Sequence, residues 1–378
     1  METSVPDFKN TESIQVIGFI GLGLIGGSIA KSLRVCHPGC EILAYQYNEH
    51  SARYLAKAME EGTLTGICHD IKDLSRCDII FLCAPVSANM AYLEKLKPVV
   101  KPTCLITDVG SVKGSIHQAV LRLDMDGQFI GGHPMAGSEK TGYDHASRRL
   151  LENAYYILTP TPRTPENYTA LMSRLVKDMG AIPVILDSRE HDNITAAISH
   201  VPHIIAAALV NMVHDSDDSR ELMKSLAAGG FKDITRIASS SPEMWESICM
   251  TNQESILDFL DRYTASLNEF KEMLHDGRKE DIYQTFSRSR DYRDSIPSHS
   301  QGLFGRVYDL YVDIPDETGA IAMIASMMAA NAISIKNIGI IHNREFADGV
   351  LRIELYDEQS MIKTAGLLKN HYYTIYEH

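Results

Sequence analysis

Hydrophobic positions in the first half of the chain form short continuous runs, and segments with helical spacing separate them. The runs show little polar alternation, which is typical of strands buried on both faces of a sheet. They are IQVIGFI (14–20), EILAYQYN (41–48), DIIFLCAP (78–85), TCLITDVG (103–110), AYYILTP (154–160) and IPVILD (182–187). Stretches between them, such as LIGGSIAKSLR and SARYLAKAMEEG, place apolar residues three and four apart, as amphipathic helices do. Strands that alternate with helices predict a doubly wound parallel sheet over residues 12–188.

The pattern changes after residue 188. Residues 189–297 keep helical spacing without any strand pattern, which predicts an all-α domain. A polar stretch with Pro and Gly, DSIPSHSQG, separates this domain from residues 303–378. In that last region YDLYVDIP alternates apolar and polar positions, and the predicted elements follow the order β-α-β-β-α-β, the ferredoxin-like α+β pattern. We therefore predict three domains.

Composition narrows the classes of function. The formal net charge of −13 argues against a nucleic-acid partner, because phosphate binding requires basic patches. The seven cysteines form no C-x-x-C pair, which indicates free, mostly buried thiols in a reducing cytoplasm. The N-terminal segment lacks a signal-peptide pattern, and no apolar run reaches the ~18 residues of a membrane span. HIIAAALVNMV (203–213) is predicted to be a buried helix.

Gly21, Gly23 and Gly26 form a G-x-G-x-x-G motif after the first predicted strand and at the start of a helix. In that position the motif is typical of a Rossmann-like dinucleotide site, where helix N–H groups bind the pyrophosphate. We expect cofactor contacts from Gly21, Leu22, Gly23, Leu24, Ile25, Gly26, Gln46, Ala84 and Pro85. NAD is the expected cofactor. NADP stays open, because Gln46 stands where an acidic residue usually binds the adenosine ribose.

The segment FIGGHPMAGSEKTG (129–142) contains four glycines and is predicted to be a loop after an apolar start. Ligands of open α/β sheets bind beyond the carboxyl ends of the strands, where this segment and Ser111 should both lie. His133 could then accept a proton from a hydroxyl, since the unperturbed pKa of histidine is near neutrality. The alternative is a structural histidine that bonds the backbone.

A second cluster of polar residues lies in the helical region. HDNITAAISHVPH carries Asp192, Ser199, His200 and His203, and the last two share a helical face. Pro202 is expected to kink that helix. A metal pair and simple core packing of His200 are the alternatives. We predict no metal site, because no third ligand is evident.

The segment GGFKDITRIASSSPEMW (229–245) adds Lys232, Arg236 and the only tryptophan, Trp245. Its two cations could clamp a carboxylate, which arginine binds in bidentate fashion. The alternatives are a solvated helix face for the cations and a core anchor for Trp245.

Five motifs together resemble a known family. GLGLIGGS, DVGSVKG, GGHPMAGSEKTG, HD…SHVPH and GGFKDITRIASSSPEMW occur in the order and at the separations typical of prephenate dehydrogenases. The chain resembles the bacterial members that carry a C-terminal ACT domain. The resemblance implies hydride transfer from C4 of prephenate to a nicotinamide, loss of CO2, and formation of 4-hydroxyphenylpyruvate in tyrosine biosynthesis.

The resemblance also implies roles for individual residues. His133 would accept a hydrogen bond from the 4-hydroxyl, Ser111 would orient both groups, and Arg236 would bind a substrate carboxylate. The other residues implied to line, shape or gate the substrate pocket are His203, Lys232, Trp245, Glu139 and Asp192.

The same resemblance implies partners and regulation. It implies a homodimer built on the helical domain, and an amino-acid effector, tyrosine as end product, near Pro315 and Gly319 of the ACT-like unit. Assembly alone is the alternative role for that unit. Arogenate or dual-specificity cyclohexadienyl dehydrogenase is the nearest alternative enzyme, and a β-hydroxyacid dehydrogenase would share only the glycine motif. A non-catalytic sensor of dinucleotide and amino acid is the alternative of a different class, although it would need neither His133 nor Arg236.

Overall fold

The computed structural model of the protein describes residues 14–45, 49–137, 140–296, 308–315, 317–341 and 349–376. Gln46 and Glu139 lie outside the described residues, so their roles stay predictions. The chain divides into two compact units, residues 1–300 and 301–378. The first unit contains both the predicted sheet and the predicted helical region.

One eight-stranded sheet forms the centre of the first unit. Its strands are β1 (Val16–Ile20), β2 (Glu41–Tyr45), β3 (Gly66–Cys68), β4 (Ile79–Leu82), β5 (Leu105–Asp108), β6 (Phe129–Pro134), β7 (Tyr155–Pro160) and β8 (Ile182–Ile185). The helices between them are α1 (Leu24–Cys36), α2 (Glu49–Glu60), α3 (Val86–Leu96), α4 (Gly114–Arg122) and α5 (Glu166–Asp178). The spatial order is β3-β2-β1-β4-β5-β6-β7-β8. The predicted Rossmann-like sheet is confirmed.

Both faces of this sheet are buried. Consecutive residues of β4 alternate between two apolar clusters, with Phe81 in one and Ile80 in the other. The first cluster includes residues of α1 and α5, and the second includes residues of α3 and α4. Helices therefore cover the two faces, which explains why the strands read as continuous apolar runs.

The expectation of a wholly parallel sheet is wrong at one edge. β6 and β7 pair antiparallel, while β7 and β8 pair parallel to each other. In the described part of the β6–β7 connection the only helical segments are short 3-10 turns, Tyr143–His145 and Arg148–Leu150. A parallel crossover requires a longer return path, usually a helix, so the chain reverses direction instead.

His133 lies in a strand and not in the predicted loop. β6 continues through Pro134, and His133 pairs with Ile157 of β7. The two preceding glycines concealed the strand because glycine is a poor strand former. His133 therefore has a backbone fixed by a sheet.

The helical region of the first unit follows the sheet directly. It contains α6 (Ser188–Thr195), a π-helical turn (Ala196–His200), α7 (Val201–Ser216), α8 (Leu222–Leu226), α9 (Gly229–Thr235), α10 (Pro242–Thr251), α11 (Gln253–His275) and α12 (Lys279–Ser295). Pro202 falls just after the π-helical turn, in the first turn of α7. This agrees with the expected helix irregularity, because proline lacks the N–H of a regular turn.

The prediction of a buried helix at residues 203–213 is wrong for the single chain. Only Val201 and Ala206 of α7 are buried. Because α6, the π-helical turn and α7 are continuous, residues Ser188–Ser216 form one helical run that is long and apolar enough to cross a membrane by length and composition. The amino-terminal half of that run nevertheless buries His191, Asp192 and His200.

The second unit is a four-stranded antiparallel sheet with two helices. Its elements are β9 (Tyr308–Ile314), α13 (Ala320–Ala330), β10 (Ile335–Ile341), β11 (Gly349–Leu355), α14 (Glu358–Asn370) and β12 (Ile375–Tyr376), and the strand order is β10-β11-β9-β12. Leu310, Val312 and Ile314 of β9 point into its core. The predicted β-α-β-β-α-β succession is therefore observed.

All seven cysteines are free. Cys40, Cys68, Cys77 and Cys104 are buried, but Cys36 is exposed. Burial raises the pKa of Cys68 to about 11, which makes that thiol unreactive at neutral pH.

Candidate active site

The turn between β1 and α1 has the shape of a dinucleotide cradle. Gly21 has a φ of +94°, and a Cβ there would lie 2.8 Å from the carbonyl oxygen of Cys83. A Cβ on Gly26 would lie 2.4 Å from the carbonyl oxygen of Gly21. By contrast, no atom in the described part of the chain lies within 4 Å of a Cβ built on Gly23. The first and third glycines are thus required by packing, and the second leaves open space for a ligand to approach the backbone.

The start of α1 is suited to an anion. Gly23 caps the helix without a side-chain hydrogen bond, and the first turn carries no acidic residue. Its free N–H groups and the helix dipole therefore favour a phosphate. Leu22, Leu24 and Ile25 belong to the same turn, so the predicted cofactor residues of this motif lie together.

The turn after β4 borders the same cradle. Ala84 donates its N–H to Oδ1 of Asn89 at 3.2 Å, and Nδ2 of Asn89 donates to the carbonyl of Leu82 at 3.2 Å. Buried Asn89 thereby shapes the Ala84–Pro85 turn from behind. Since β1 and β4 are neighbours, the two turns meet at the carboxyl ends of the strands, where the sheet changes winding direction.

Three side chains form a hydrogen-bonded chain beside this edge. Nδ1 of His133 lies 2.8 Å from Nε2 of His191. Nδ1 of His191 lies 2.8 Å from Oδ1 of Asp192. His133 belongs to β6, while His191 and Asp192 belong to α6, so the hydrogen-bonded chain joins the sheet to the helical region. His191 is fully buried and Asp192 nearly so.

The hydrogen-bond chemistry fixes the tautomers of both rings. A carboxylate only accepts, so Nδ1 of His191 must donate to Asp192. In neutral His191, Nε2 is then an acceptor, and Nδ1 of His133 must donate to it. Neutral His133 is left with a bare lone pair on Nε2. No described residue forms a hydrogen bond with that atom, so it is available to a substrate hydroxyl.

The surroundings keep these imidazoles neutral. Burial, assisted by electrostatic interactions with His191, Lys113 and His200, holds the pKa of His133 well below its usual range. Burial also lowers the pKa of His191, although Asp192 opposes this. Burial lowers the pKa of His200 to about 4. A neutral His133 is the form that can accept a proton.

Asp192 is fixed from several sides. Its Oδ1 accepts the backbone N–H of Lys113 at 2.7 Å, and its Oδ2 accepts that of Gly114 at 2.7 Å. Nδ2 of Asn252 donates to the Asp192 carbonyl at 2.8 Å and lies 3.1 Å from Nδ1 of His200. The carboxylate therefore lies behind the imidazole pair. Its predicted part in shaping or gating the pocket stays a prediction.

A second group of predicted residues lines a cavity of about 610 Å³ beside α7 and α10. Its walls include His203, Trp245 and Cys249. The rings of His203 and Trp245 stack with centroids 3.9 Å apart, and Nδ1 of His203 donates to the Ser199 carbonyl at 2.8 Å. Nε1 of Trp245 is buried without a partner among the described residues. Trp245 therefore carries one hydrogen-bond donor that is not used within the described part of the chain.

The remaining predicted residues are less constrained. Lys232 and Arg236 are exposed on α9 and on the 3-10 turn after it, and neither forms a hydrogen bond with His133 in the described part of the chain. The charge of Arg236 does reach His203, whose pKa is lowered mainly by burial and further by that charge. Ser111 lies in the β5–α4 loop, and no hydrogen bond joins it to His133 among the described residues. Their substrate roles stay predictions.

Sequence reasoning missed several residues of the site. The sequence patterns assign no role to four residues that bond to it: His191, Asp108, Lys113 and Asn252. His191 directly precedes Asp192, and adjacent helical residues usually face different directions, so spacing gave no signal. Among the described residues, no group of three or more His, Cys, Asp or Glu side chains could hold a metal ion.

Comparison with known proteins decides the family. The family profile "Prephenate dehydrogenase, nucleotide-binding domain" matches residues 29–185, and "Prephenate dehydrogenase, dimerization domain" matches residues 187–288. The curated prephenate dehydrogenase of Bacillus subtilis is 40% identical over 341 residues, which cover 89% of this chain and 91% of that protein. The chain belongs to the prephenate dehydrogenase family. The predicted resemblance is confirmed.

Solved structures agree with this assignment. A prephenate dehydrogenase from A. aeolicus, in complex with hydroxyphenyl propionate and NAD+, is 31% identical with a TM-score of 0.71, and the match covers 75% of this chain and 99% of that one. The Synechocystis arogenate dehydrogenase is also 31% identical, with a TM-score of 0.68 and coverage of 75% and 100%. Proteins described as prephenate dehydrogenase and as arogenate dehydrogenase therefore share this fold.

Proposed function

We propose that this chain is an NAD-dependent prephenate dehydrogenase, which oxidatively decarboxylates prephenate to 4-hydroxyphenylpyruvate. The observation that carries the proposal is the chain from His133 through His191 to Asp192, which leaves Nε2 of His133 as a bare acceptor. Family membership indicates the reaction, and the tautomers that Asp192 imposes on the two rings leave a group suited to it.

His133 would act on the 4-hydroxyl. As the C4–H bond electrons leave as hydride, the hydroxyl oxygen gains carbonyl character and its proton becomes more acidic. Nε2 of His133 accepts this proton, and the resulting positive charge is stabilised through His191 by the Asp192 carboxylate. The ring carboxylate then departs as CO2, the electrons of the broken C–C bond complete the aromatic ring, and the resulting phenolate oxygen takes the proton back from Nε2 of His133.

The cradle residues fit the cofactor. Open space at Gly23 and the uncapped start of α1 suit a pyrophosphate, and the Ala84–Pro85 turn borders the position of the nicotinamide half. When bound, the nicotinamide supplies the hydride acceptor. The proposed role of Gln46 at the ribose rests on its place after β2 alone.

The substrate would be held by cations and aromatic side chains. Arg236 and Lys232 are the proposed carboxylate partners, with Ser111 at the hydroxyl and His203 and Trp245 along the pocket wall. Glu139 is proposed to close the pocket. Arogenate, which has an amine where prephenate has a ketone, is the second candidate substrate, because the similar Synechocystis protein is an arogenate dehydrogenase.

A homodimer is proposed from the helical region. That region matches the dimerization-domain profile. It also exposes large apolar side chains in the single chain, including Met212 of α7, Leu274 of α11 and Phe286 of α12. Exposed apolar surface of this extent is typical of a subunit interface. We propose residues 12–188, 189–297 and 303–378 as the domains, and a cytoplasmic location in keeping with the free thiols.

Residues 303–378 are proposed to form an ACT-like regulatory unit that binds tyrosine. The β-α-β-β-α-β succession of the second unit supports this. The similarity to the Bacillus subtilis protein spans 341 residues, which is more than the 300 of the first unit, so it extends into the second unit. Gly319 has a φ of +95° and open space around it, at the turn between β9 and α13. Pro315 and Gly319 are the proposed effector contacts.

The test is direct. The reduced-nicotinamide absorbance is followed with prephenate and with arogenate, each with NAD and with NADP. Turnover of prephenate with NAD is expected, and its inhibition by added tyrosine would support the regulatory role. An absence of turnover in all four mixtures would contradict the proposed function and favour a sensor.

A further inference from the structure

The sheet loses one pairing partner just before His133. β5 and β6 pair only at Ile106 with Phe129 and at Thr107 with Ile130. β5 ends at Asp108, whereas β6 continues beside β7 as far as Pro134. From Gly131 onward, the edge of β6 on the β5 side therefore has no strand beside it. Buried backbone N–H and C=O groups without partners are costly, so something must replace the missing strand.

A buried ion pair fills that position. Oδ1 of Asp108 accepts the N–H of Gly132 at 3.1 Å, and Nζ of Lys113 donates to the carbonyl of Gly132 at 2.7 Å. The two side chains are joined by a 2.5 Å contact between Nζ and Oδ2, and both are fully buried. The carbonyl that Lys113 holds belongs to the peptide bond leading into His133.

We propose that the Asp108–Lys113 ion pair replaces the missing strand beside β6 and is the positioning element that aims His133 at the substrate hydroxyl. The inference rests on the proposed function, because it assigns the pair to the proton-accepting step. It makes Lys113 and Asp108 positioning residues, since neither is placed against the substrate.

The two glycines before His133 fit this role. A Cβ on Gly132 would lie 2.5 Å from the Asp108 carbonyl oxygen. A Cβ on Gly131 would lie 2.2 Å from Oγ1 of Thr159 and 3.0 Å from Cδ of Lys113. Side chains at these positions would push the ion pair away from the backbone that it holds. The Gly-Gly sequence is therefore required by the close approach of Asp108 and Lys113.

Lys113 also reaches the other end of the hydrogen-bonded chain. Its backbone N–H donates to Oδ1 of Asp192, the same oxygen that faces His191. One residue thus fixes the peptide before His133 through its ammonium and the carboxylate behind His191 through its backbone. This double attachment sets the separation between β6 and α6 at which the two rings can bond.

The charge of the pair affects the imidazoles as well. The charged and titratable groups around His133 are His191 and Asp192 from α6, Lys113 and Asp108 at the end of β5 and the loop after it, and His200 from the π-helical turn. Burial is the main reason that the pKa of His133 is low, and the Lys113 ammonium lowers it further. Loss of that ammonium should therefore raise the pKa of His133.

The main test is the double variant K113M/D108N, which removes both charges and avoids a single unpaired charge in the interior. We expect a folded protein whose kcat/KM for prephenate falls about 100-fold through misorientation of His133. The acidic limb of the kcat/KM profile should move to higher pH. If the ion pair contributed only to stability, the acidic limb would stay at the same pH as in the wild type.

The chain offers a matched control. Lys101 and Asp78 form a 2.6 Å ion pair, and Asp78 accepts the N–H groups of Gln15 and Val16 at the opposite end of the sheet. K101M/D78N should lose stability without a change in the acidic limb. Lys113→Gln, whose amide can still donate a hydrogen bond, is the second variant and should show the same upward shift.

A second readout separates this inference from the proposed function. Diethyl pyrocarbonate modifies neutral imidazole, and peptide mass spectrometry gives its rate at His133 as a function of pH without any substrate. The midpoint should be higher in Lys113→Gln than in the wild type, even if the substrate were a different one. A folded variant with unchanged midpoint and kcat/KM within twofold of wild type would overturn the inference. Failure of both Lys113 variants to fold, with K101M/D78N folded, would also overturn it.

Discussion

Nδ1 of His133 donates to Nε2 of His191 across 2.8 Å, and this contact joins the central sheet to the helical region. The two residues are far apart in sequence. Asp192 fixes the tautomer of His191, and His191 in turn fixes that of His133. The proposed proton-accepting atom, Nε2 of His133, is therefore defined by groups in two parts of the fold. Relative movement of the two parts would alter both its direction and its basicity.

Replacement of His133 tests its place in the chemistry. His133→Asn should lower kcat about 100-fold or more while KM changes little, because the bond to the hydroxyl strengthens as hydride leaves. Steady-state kinetics with prephenate measures both constants. His117→Asn is the matched control, since His117 is a buried histidine bonded to Thr159 and outside the hydrogen-bonded chain. A large rise in KM at constant kcat would contradict the proposed role.

Neutralising Asp192 tests the tautomer argument. Asp192→Asn should lower kcat about 100-fold, because His191 no longer has a carboxylate that fixes Nδ1 as its donor and His133 loses its orientation. Asp187→Ala on the same helix is the control. Asp187 caps α6 through the N–H groups of Arg189 and Glu190, so its loss should cost about 1 kcal/mol of stability and leave kcat unchanged. Equal kcat in Asp192→Asn and wild type would refute the assignment.

The pH dependence follows from the pKa of His133. That group must be neutral to accept a proton, and burial together with neighbouring charges holds its pKa well below 6.5. Activity is present above the folded pKa and is lost as pH falls through it, so kcat/KM should stay level from about pH 7.5 to below pH 6.5. Circular dichroism at each pH separates this loss from unfolding. An acidic limb centred above pH 6.5 would be incompatible with a His133 pKa that lies below its usual range.

The close contact at Gly132 makes a steric prediction. Gly132→Ala should reduce kcat/KM about 100-fold. Its Cβ would lie 2.5 Å from the backbone oxygen of Asp108, and the resulting shift of the strand would displace the backbone of His133. Gly137→Ala serves as the control, since no atom of the described residues lies within 4 Å of a Cβ at that position. Kinetics and thermal unfolding of the two variants give the comparison. If Gly132→Ala and Gly137→Ala had similar activity, the prediction that a Cβ at residue 132 misplaces His133 would be wrong.

The sequence predicted the sheet well and the strand directions poorly. Continuous apolar runs such as DIIFLCAP identify strands buried on both faces, because helices cover each face. Direction leaves no such trace, and the reversal between β6 and β7 depends on a connection without a crossover helix. Glycine content likewise concealed the strand at His133, since it reflects contacts with Asp108 and Lys113 and not local flexibility.

The candidate site was predictable only in part, for similar reasons. Gly21, Gly23 and Gly26 have a fixed spacing that reflects their local geometry, so the motif predicts a cradle. The bond between His133 and His191 spans two elements and has no local signature. The apolar composition of α7 predicted a buried helix, but in the single chain most of that helix is not buried. Composition alone does not distinguish burial within one chain from burial against a second subunit.

Arg236 offers the clearest test of substrate binding. Arg236→Ala should raise KM for prephenate about 10- to 100-fold with a smaller effect on kcat, since a charge-assisted hydrogen bond to a carboxylate contributes roughly 1.5–3 kcal/mol. Arg220→Ala is the control, because Arg220 is an exposed arginine of the same region whose partner is Asp218. Surface pairs of that kind contribute little, so its KM should not change. Initial rates over a range of prephenate concentrations at saturating NAD measure the difference. An unchanged KM in Arg236→Ala would mean that the carboxylate is bound by another cation, for which Lys232, one helical turn earlier, is the next candidate.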